Sequence, residues 1–222
     1  MNMKIFVISL ERNKERQNIL SNRMNQLGLD FEFFFGVDGS TLSEDELSLV
    51  DQEFCKKNFG HSMNKSEIGC AMSHIRIYEK IVSENISHAL ILEDDAYLLS
   101  CVPEILASVM KKPSFEMLYL FHGKAKRWPL WHKLPHDYRL VHYRSPSSTS
   151  KRCIIGAVAY ALSLNGAKKI LDVAYPIRMP ADYLTGLIQK NSLKTFGIEP
   201  NCVDTGHLDT TIPGRDYGSH IE

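Results

Sequence analysis

The sequence predicts an α/β protein built on a mixed, mostly parallel sheet flanked by helices. Short β-branched and aromatic runs of strand length recur along the chain, and stretches with apolar residues at helical spacing separate them. In addition, the apolar run Ala89-Leu90-Ile91-Leu92 ends on three acids, Glu93-Asp94-Asp95. Ligands of open α/β sheets bind outside the carboxyl ends of strands, so these acids stand at a ligand address.

The elements follow in order. Ile5-Phe6-Val7-Ile8 is an apolar run of the kind buried on both faces of a parallel sheet. Ile19, Leu20, Met24 and Leu27 then lie at helical spacing, and Gly28 suits the residue after the last turn. Phe31 to Phe35 reads as the second strand and breaks at Gly36-Val37-Asp38-Gly39. Ile68, Met72, Ile75, Tyr78 and Val82 share one helical face within 64–86, where Asn64 and Glu67 form a capping-box pattern. The strand ending at the acids comes next, followed by a helix at 103–111 and strands at Met117 to Phe121 and Val158 to Leu162. Helices at Gly166 to Val173 and at Pro180 to Gln189, with proline near the first helical position, complete the pattern. Nothing reads as a linker, a repeat or a low-complexity tract, so residues 1–222 are expected to form one domain.

Composition narrows the function. Lys plus Arg and Asp plus Glu both number 26 in 222 residues, a balance that points to neither nucleic acid nor an anionic membrane as the partner of the whole chain. Five scattered cysteines without a CxxC argue against a disulfide framework and a zinc site, and suit a reducing cytoplasm. The opening apolar run reaches Glu11-Arg12 too soon for a signal peptide, and no segment approaches the roughly 18 apolar residues that span a bilayer.

Residues 121–152 break the balance, with eight Lys or Arg and four His against one acid, Asp137. Trp128, Trp131, Tyr138 and Tyr143 are interleaved with them. Either this is a hairpin or loop insertion whose aromatics pack on the domain, or it is a loop that closes over an anionic or sugar-bearing ligand.

Three adjacent carboxylates repel one another unless a cation or water sits among them. If strand geometry continues past Leu92, Glu93 and Asp95 point to one side and Asp94 to the other. Two oxygens on one side suit Mg²⁺ or Mn²⁺, which take carboxylates and complete their shells with water or phosphate. The competing structural reading is that the acids cap the next turn or pair with Lys and Arg. On the acids alone, a nucleotide-sugar transferase and a Mg²⁺-dependent phospho-aspartate protein both fit.

Further residues separate these. In order, Val7-Ile8-Ser9-Leu10-x-Arg12-x-x-x-Arg16, Gly36-Val37-Asp38-Gly39, Ser66-Glu67-Ile68-Gly69-Cys70-Ala71-Met72-Ser73-His74 and Leu90-Ile91-Leu92-Glu93-Asp94-Asp95 resemble glycosyltransferase family 25. This family includes bacterial lipooligosaccharide galactosyltransferases and is related to collagen galactosyltransferases. Gly156 to Ser163, Gly166-Ala167-Lys168-Lys169 and Pro180-Ala181-Asp182 match less tightly, and the resemblance covers most of residues 4–190.

The resemblance implies a GT-A type, Rossmann-like fold, a UDP-sugar donor, commonly UDP-galactose, and inversion at the anomeric carbon. It also implies a divalent metal, Mn²⁺ or Mg²⁺, with Asp95 and Glu93 as ligands, and donor contacts from Ser9, Arg12, Asp38, Glu93 and Asp94. Arg12 or Arg16 would meet phosphate and Asp38 the uridine. The chain departs from the pattern at Ala157, where the family often carries threonine. It also ends soon after Thr210-Thr211-Ile212, so a C-terminal extension is expected to be short or missing.

An inverting transfer needs a base for the acceptor hydroxyl. Asp182, near a helix start, is the first candidate, although a carboxylate there is also stabilised by the helix dipole alone. Glu67 is the second, although the capping box accounts for it without a ligand. His74 is expected to be a hydrogen-bonded core histidine, and His207 is a late candidate metal ligand. The expected protein is thus a metal-dependent β-galactosyltransferase acting on a saccharide or lipid-linked oligosaccharide of lipooligosaccharide. It would be cytoplasmic, touch anionic membrane peripherally through its basic segment, and bind no nucleic acid. The alternatives are the phosphotransfer protein and a nucleotide-sugar-binding protein without turnover.

Overall fold

A computed structural model describes residues 3–123 and 125–205. The chain opens with β1 (Lys4–Ser9), α1 (Lys14–Gln26) and β2 (Glu32–Phe35). Gly28 takes a φ of +62° just past α1, the left-handed turn-off that glycine permits. A 3₁₀ turn at Gly39–Thr41 leads to α2 (Glu44–Ser48), α3 (Gln52–Phe59) and the long α4 (Lys65–Ser83). Then come β3 (His88–Glu93), β4 (Ala96–Leu98), α5 (Val102–Val109), β5 (Met117–Tyr119), β6 (Arg127–Lys133) and β7 (Arg139–Tyr143). The remainder is β8 (Ala159–Ser163), α6 (Leu164–Ala174), α7 (Ala181–Gly186), α8 (Ile188–Asn191), β9 (Thr195–Glu199) and β10 (Val203–Thr205).

Eight strands pair in the order β2-β1-β3-β8-β5-β9-β7-β6, while β4 and β10 form a separate ribbon. From the pairings, β2, β1, β3, β5, β9 and β6 run one way, and β8 and β7 run the other. The sheet is therefore mixed and mostly parallel, as its apolar strands predict.

Those strands alternate between two cores. Ala89 and Ile91 of β3 pack with Phe6 of β1 into one core, which α4 and α6 cover with Ile68, Met72, Ile75 and Ile170. Leu90 and Leu92 point into the other with Ile5 and Val7, where α1 and α5 contribute Leu20, Met24, Ile105 and Leu106. A strand buried on both faces must be apolar at every position, which explains the continuous run of Ala89–Leu92. Each large aliphatic side chain buried this way stabilises the fold by roughly 1.5–3 kcal/mol.

Two expectations are corrected, and one open alternative resolves to the hairpin. The helix expected over Pro180 to Gln189 is two short helices, α7 and α8, and Pro180 occupies the N-cap position of α7. The Gly186 carbonyl accepts from Ile154 N–H at 3.1 Å, which ties the helix end to a loop. The alternation expected past Leu92 fails because β3 stops at Glu93 and Asp94-Asp95 turn the chain into β4. Residues 121–152 hold the β6–β7 hairpin, and β7 pairs with β9 so that the hairpin extends the sheet.

Candidate functional site at the carboxyl ends of β1 and β3

The motifs separated in sequence meet in one cleft, lined by Ser9, Arg12, Asn13, Arg16, Asp38, Cys70, His74, Glu93, Asp94 and Asp95 among others. Close backbone packing sets its wall. A Cβ on Gly39 would sit 2.0 Å from Lys65 O, and one on Gly69 would sit 2.7 Å from Val37 O. Only glycine at both positions lets the 36–39 loop lie on the start of α4. Ser73 fastens the same contact, its Oγ donating to Gly69 O at 2.7 Å and accepting from Val37 N–H at 2.8 Å.

The three acids open on this cleft but have different partners. Asp94 is buried and receives Ser9 Oγ at 2.7 Å, Asn13 Nδ2 at 3.1 Å and the Arg16 guanidinium at 3.1 Å. Gln17 holds Ser9 in place, donating to its Oγ at 3.2 Å. Glu93 faces the fully buried His74, with 3.3 Å between Oε1 and Nε2. On its other side His74 Nδ1 lies 2.6 Å from Tyr160 Oη, which is 2.5 Å from Tyr78 Oη.

Asp95 differs from its neighbours. Its Oδ1 is buried without a hydrogen-bond partner among the described residues. Burial, followed by repulsion from Glu93, pushes its carboxyl up to about 7, while the Arg16 charge opposes the rise.

The other expected residues are placed as follows. Arg12 pairs with Asp38 at the cleft rim, and Asp38 also accepts from Ser40 N–H at 2.9 Å. Arg16, the alternative to Arg12 for phosphate, is engaged with Asp94. Glu67 forms the expected capping box, accepting from Asn64 N–H at 2.9 Å, and Asp182 accepts from Ala157 N–H at 2.8 Å. The cleft lining includes neither Glu67 nor Asp182. His207 and Lys124 lie outside the described residues. Asn13 and Tyr160 are additions; Asn13 stands one helical turn before Arg16, a spacing visible in the sequence, whereas Tyr160 comes from a distant strand.

Asp95 supplies a direct test of the implied metal. An orphaned buried carboxylate oxygen beside a second carboxylate is a donor set that fits Mg²⁺ or Mn²⁺. Roomier hollows elsewhere, beside His122 and Glu199 or beside Lys126 and Gly186, gather no comparable set of acids.

Residues 2–185 fit the family model described as "Glycosyltransferase family 25 (LPS biosynthesis protein)", and the chain belongs to that family. A "Glycosyltransferase 25 family member" of Aedes aegypti is 32% identical over 176 residues, covering 76% of this chain and 28% of that protein. "Procollagen galactosyltransferase 2" of Mus musculus is 22% identical over 95% of this chain and 36% of its own length. "Inactive glycosyltransferase 25 family member 3" of Mus musculus is 25% identical over 92% of this chain and 37% of its own length. The chain spans about a third of the length of the curated relatives it matches. Among solved structures, a glycosyltransferase involved in glycosylation of the major capsid of PBCV-1 aligns at 9% identity with a TM-score of 0.35, over 77% of this chain and 65% of that one.

Proposed function

We propose that this chain transfers galactose from UDP-galactose to a saccharide acceptor, with inversion to a β linkage. The acceptor proposed is a saccharide or lipid-linked oligosaccharide of lipooligosaccharide, in keeping with the words of the family description. The galactosyl part is supported by the relative named as a procollagen galactosyltransferase. The observation that carries the reading is the orphaned Asp95 oxygen beside Glu93 in a cleft at the strand ends.

Asp95 and Glu93 would hold Mn²⁺ or Mg²⁺, which when bound neutralises the charge developing on a departing diphosphate. The chain's own residues set the stage for this. Ser9, Asn13 and Arg16 fix Asp94 and thereby the turn that carries Asp95. His74 orients Glu93, and the Arg12–Asp38 pair offers both charges at the rim, for phosphate and uridine. Asp182 and then Glu67 are the proposed bases for the acceptor hydroxyl. Because both also hold backbone amides, Asp182→Asn and Glu67→Gln should lower kcat with unchanged melting if either acts as the base.

Titration calorimetry of UDP-galactose, UDP-glucose and UDP-N-acetylglucosamine, with and without Mn²⁺, tests the reading. Mn²⁺-dependent binding of UDP-galactose that Asp95→Asn abolishes is the expected result. Failure of every donor to bind would overturn it. A second reading, donor binding without turnover, draws on the relatives named inactive; it predicts the same titration but no UDP release with any acceptor.

No described helix is long and apolar enough to cross a membrane. Cytoplasmic residence with peripheral membrane contact through the basic hairpin is part of the proposal. Changing Lys124, Lys126 and Arg127 to Glu should then abolish binding to anionic vesicles, and persistence of binding would remove that part.

A further inference from the structure

We propose that Cys70, His74 and Glu93 form a binding site for a thiophilic transition metal, Zn²⁺ in the first instance, in the wall of this cleft. Cys70 and His74 are four residues apart on α4, so one helical turn stacks their side chains on the same face. Glu93 arrives opposite them from the last position of β3. The Sγ, imidazole nitrogen and carboxylate oxygen of the three all lie within 4.8 Å of one another. Zinc bonds of about 2.0–2.3 Å at tetrahedral angles place neighbouring donors roughly 3.3–3.8 Å apart. The Nε2 to Oε1 edge already has 3.3 Å, and the edges to the half-buried cysteine are at most 4.8 Å.

The buried side of the histidine is built for the same purpose. A ligating imidazole needs its second nitrogen held, and Tyr160 Oη stands 2.6 Å from Nδ1. Tyr160 in turn meets Tyr78 Oη, and either hydroxyl can be the donor. The Tyr160 hydroxyl can donate to Nδ1 or accept from it, so it meets His74 in either tautomer. With the proton on Nδ1, donated to Tyr160, Nε2 presents its lone pair to the cleft.

Coordination balances simply. Three bonds form to the metal, the Cys70 thiol gives up its proton to solvent, and the imidazole exchanges a proton at Nε2 for one at Nδ1, so one proton is released. A thiolate and an imidazole select Zn²⁺, Co²⁺ or Cd²⁺ over Mg²⁺ and Mn²⁺. Three protein ligands leave a fourth position open to the cleft, the arrangement of sites whose metal also meets a small ligand. Because Glu93 is shared, Zn²⁺ should also suppress the Mn²⁺-dependent donor binding. That consequence alone rests on the transferase reading.

The test is a titration of the metal-free, thiol-reduced full chain with Co²⁺, followed by absorption in the thiolate-to-cobalt charge-transfer region. One equivalent of Co²⁺ should generate the band, and Zn²⁺ should bleach it. Cys70→Ser should abolish the band, Cys101→Ser should leave it intact, and Tyr160→Phe should weaken binding about 10-fold or more through loss of the histidine's support. Circular dichroism of each variant checks that it is folded, and Glu93→Gln, at a half-exposed strand end, provides a second ligand deletion. Absence of the band from the wild type, or its survival in Cys70→Ser, overturns the proposal. No sugar nucleotide enters this experiment, so it can fail while the transferase reading stands, and the reverse.

Discussion

The cleft and the β6–β7 hairpin are both rich in charge, yet they use it in opposite ways. In the cleft, Asp94 is buried and meets three donors from β1 and from the N-cap and first turn of α1, residues that lie 78 to 85 positions away. In the hairpin, every residue of β6 is exposed, Leu130 to the extent of 82%, and the tryptophans serve as flat supports for cations. Arg139 lies 4.6 Å from the Trp131 ring and Arg144 lies 4.6 Å from that of Trp128. Water can replace a partner on the hairpin but not at the buried Asp94. The charge at Asp94 therefore has one geometry, and a charge on the hairpin has many.

The comparison breaks first at Asp94. Asp94→Ala leaves Arg16, Ser9 and Asn13 without the carboxylate they converge on, and should cost about 3 kcal/mol in urea unfolding. A loss below about 1 kcal/mol would mean that the cleft charges are as loosely held as those of the hairpin. Tyr160→Phe strips a buried hydroxyl from between His74 and Tyr78 and should cost about 1–3 kcal/mol by the same measurement; an unchanged midpoint would show the network to be dispensable.

Asp95 is the cleft residue that should behave in reverse. Its folded pKa of about 7 lies above the ordinary 3.8, so the folded state holds a proton that the unfolded state has released between those values. Stability from this group therefore falls as pH rises through that window, and above about 7 the penalty is fully present. In the metal-free protein, Asp95→Asn should raise Tm by about 2–4 °C near pH 8, with no gain near pH 4. Mn²⁺ binding to the wild type should strengthen as pH rises toward 7. Equal effects of the substitution at both pH values would remove Asp95 as a strained carboxylate. The smallest change belongs to the hairpin. Trp131→Ala removes one exposed cation–π contact and should shift stability by about 0.5–1 kcal/mol. A larger loss would mean that the hairpin is as specified as the cleft.

Much of this was legible in the residues. The strands β1 and β3, the helix α4 and its Asn64–Glu67 cap are local facts: an apolar run of strand length, a 3.6-residue stripe and a reciprocal cap need no distant partner to be recognised. The strand-end position of the acids was equally plain. Residues 44–59 carried a readable signal as well, since Ser43 and Glu46 make a capping box at α2, but their short helices lack a long apolar stripe. The hairpin could not be told from a ligand-closing loop, because pairing with β9, some sixty residues on, decides between them.

The α/β class, the family and the place where the acids emerge could be read from the residues, because they depend on local periodicity and on motif order. What each acid does follows from long-range packing. The end of β3 at Glu93 replaces strand alternation with a turn, so Asp94 goes to Ser9, Asn13 and Arg16, Glu93 to His74, and Asp95 to neither set. Scattered cysteines without a CxxC likewise argue against zinc. The Cys70, His74 and Glu93 donors nevertheless converge once α4 packs on the sheet, because a helical turn supplies two ligands on one face and a strand end supplies the third. Partner choice over such separations is set by packing, which no local pattern encodes.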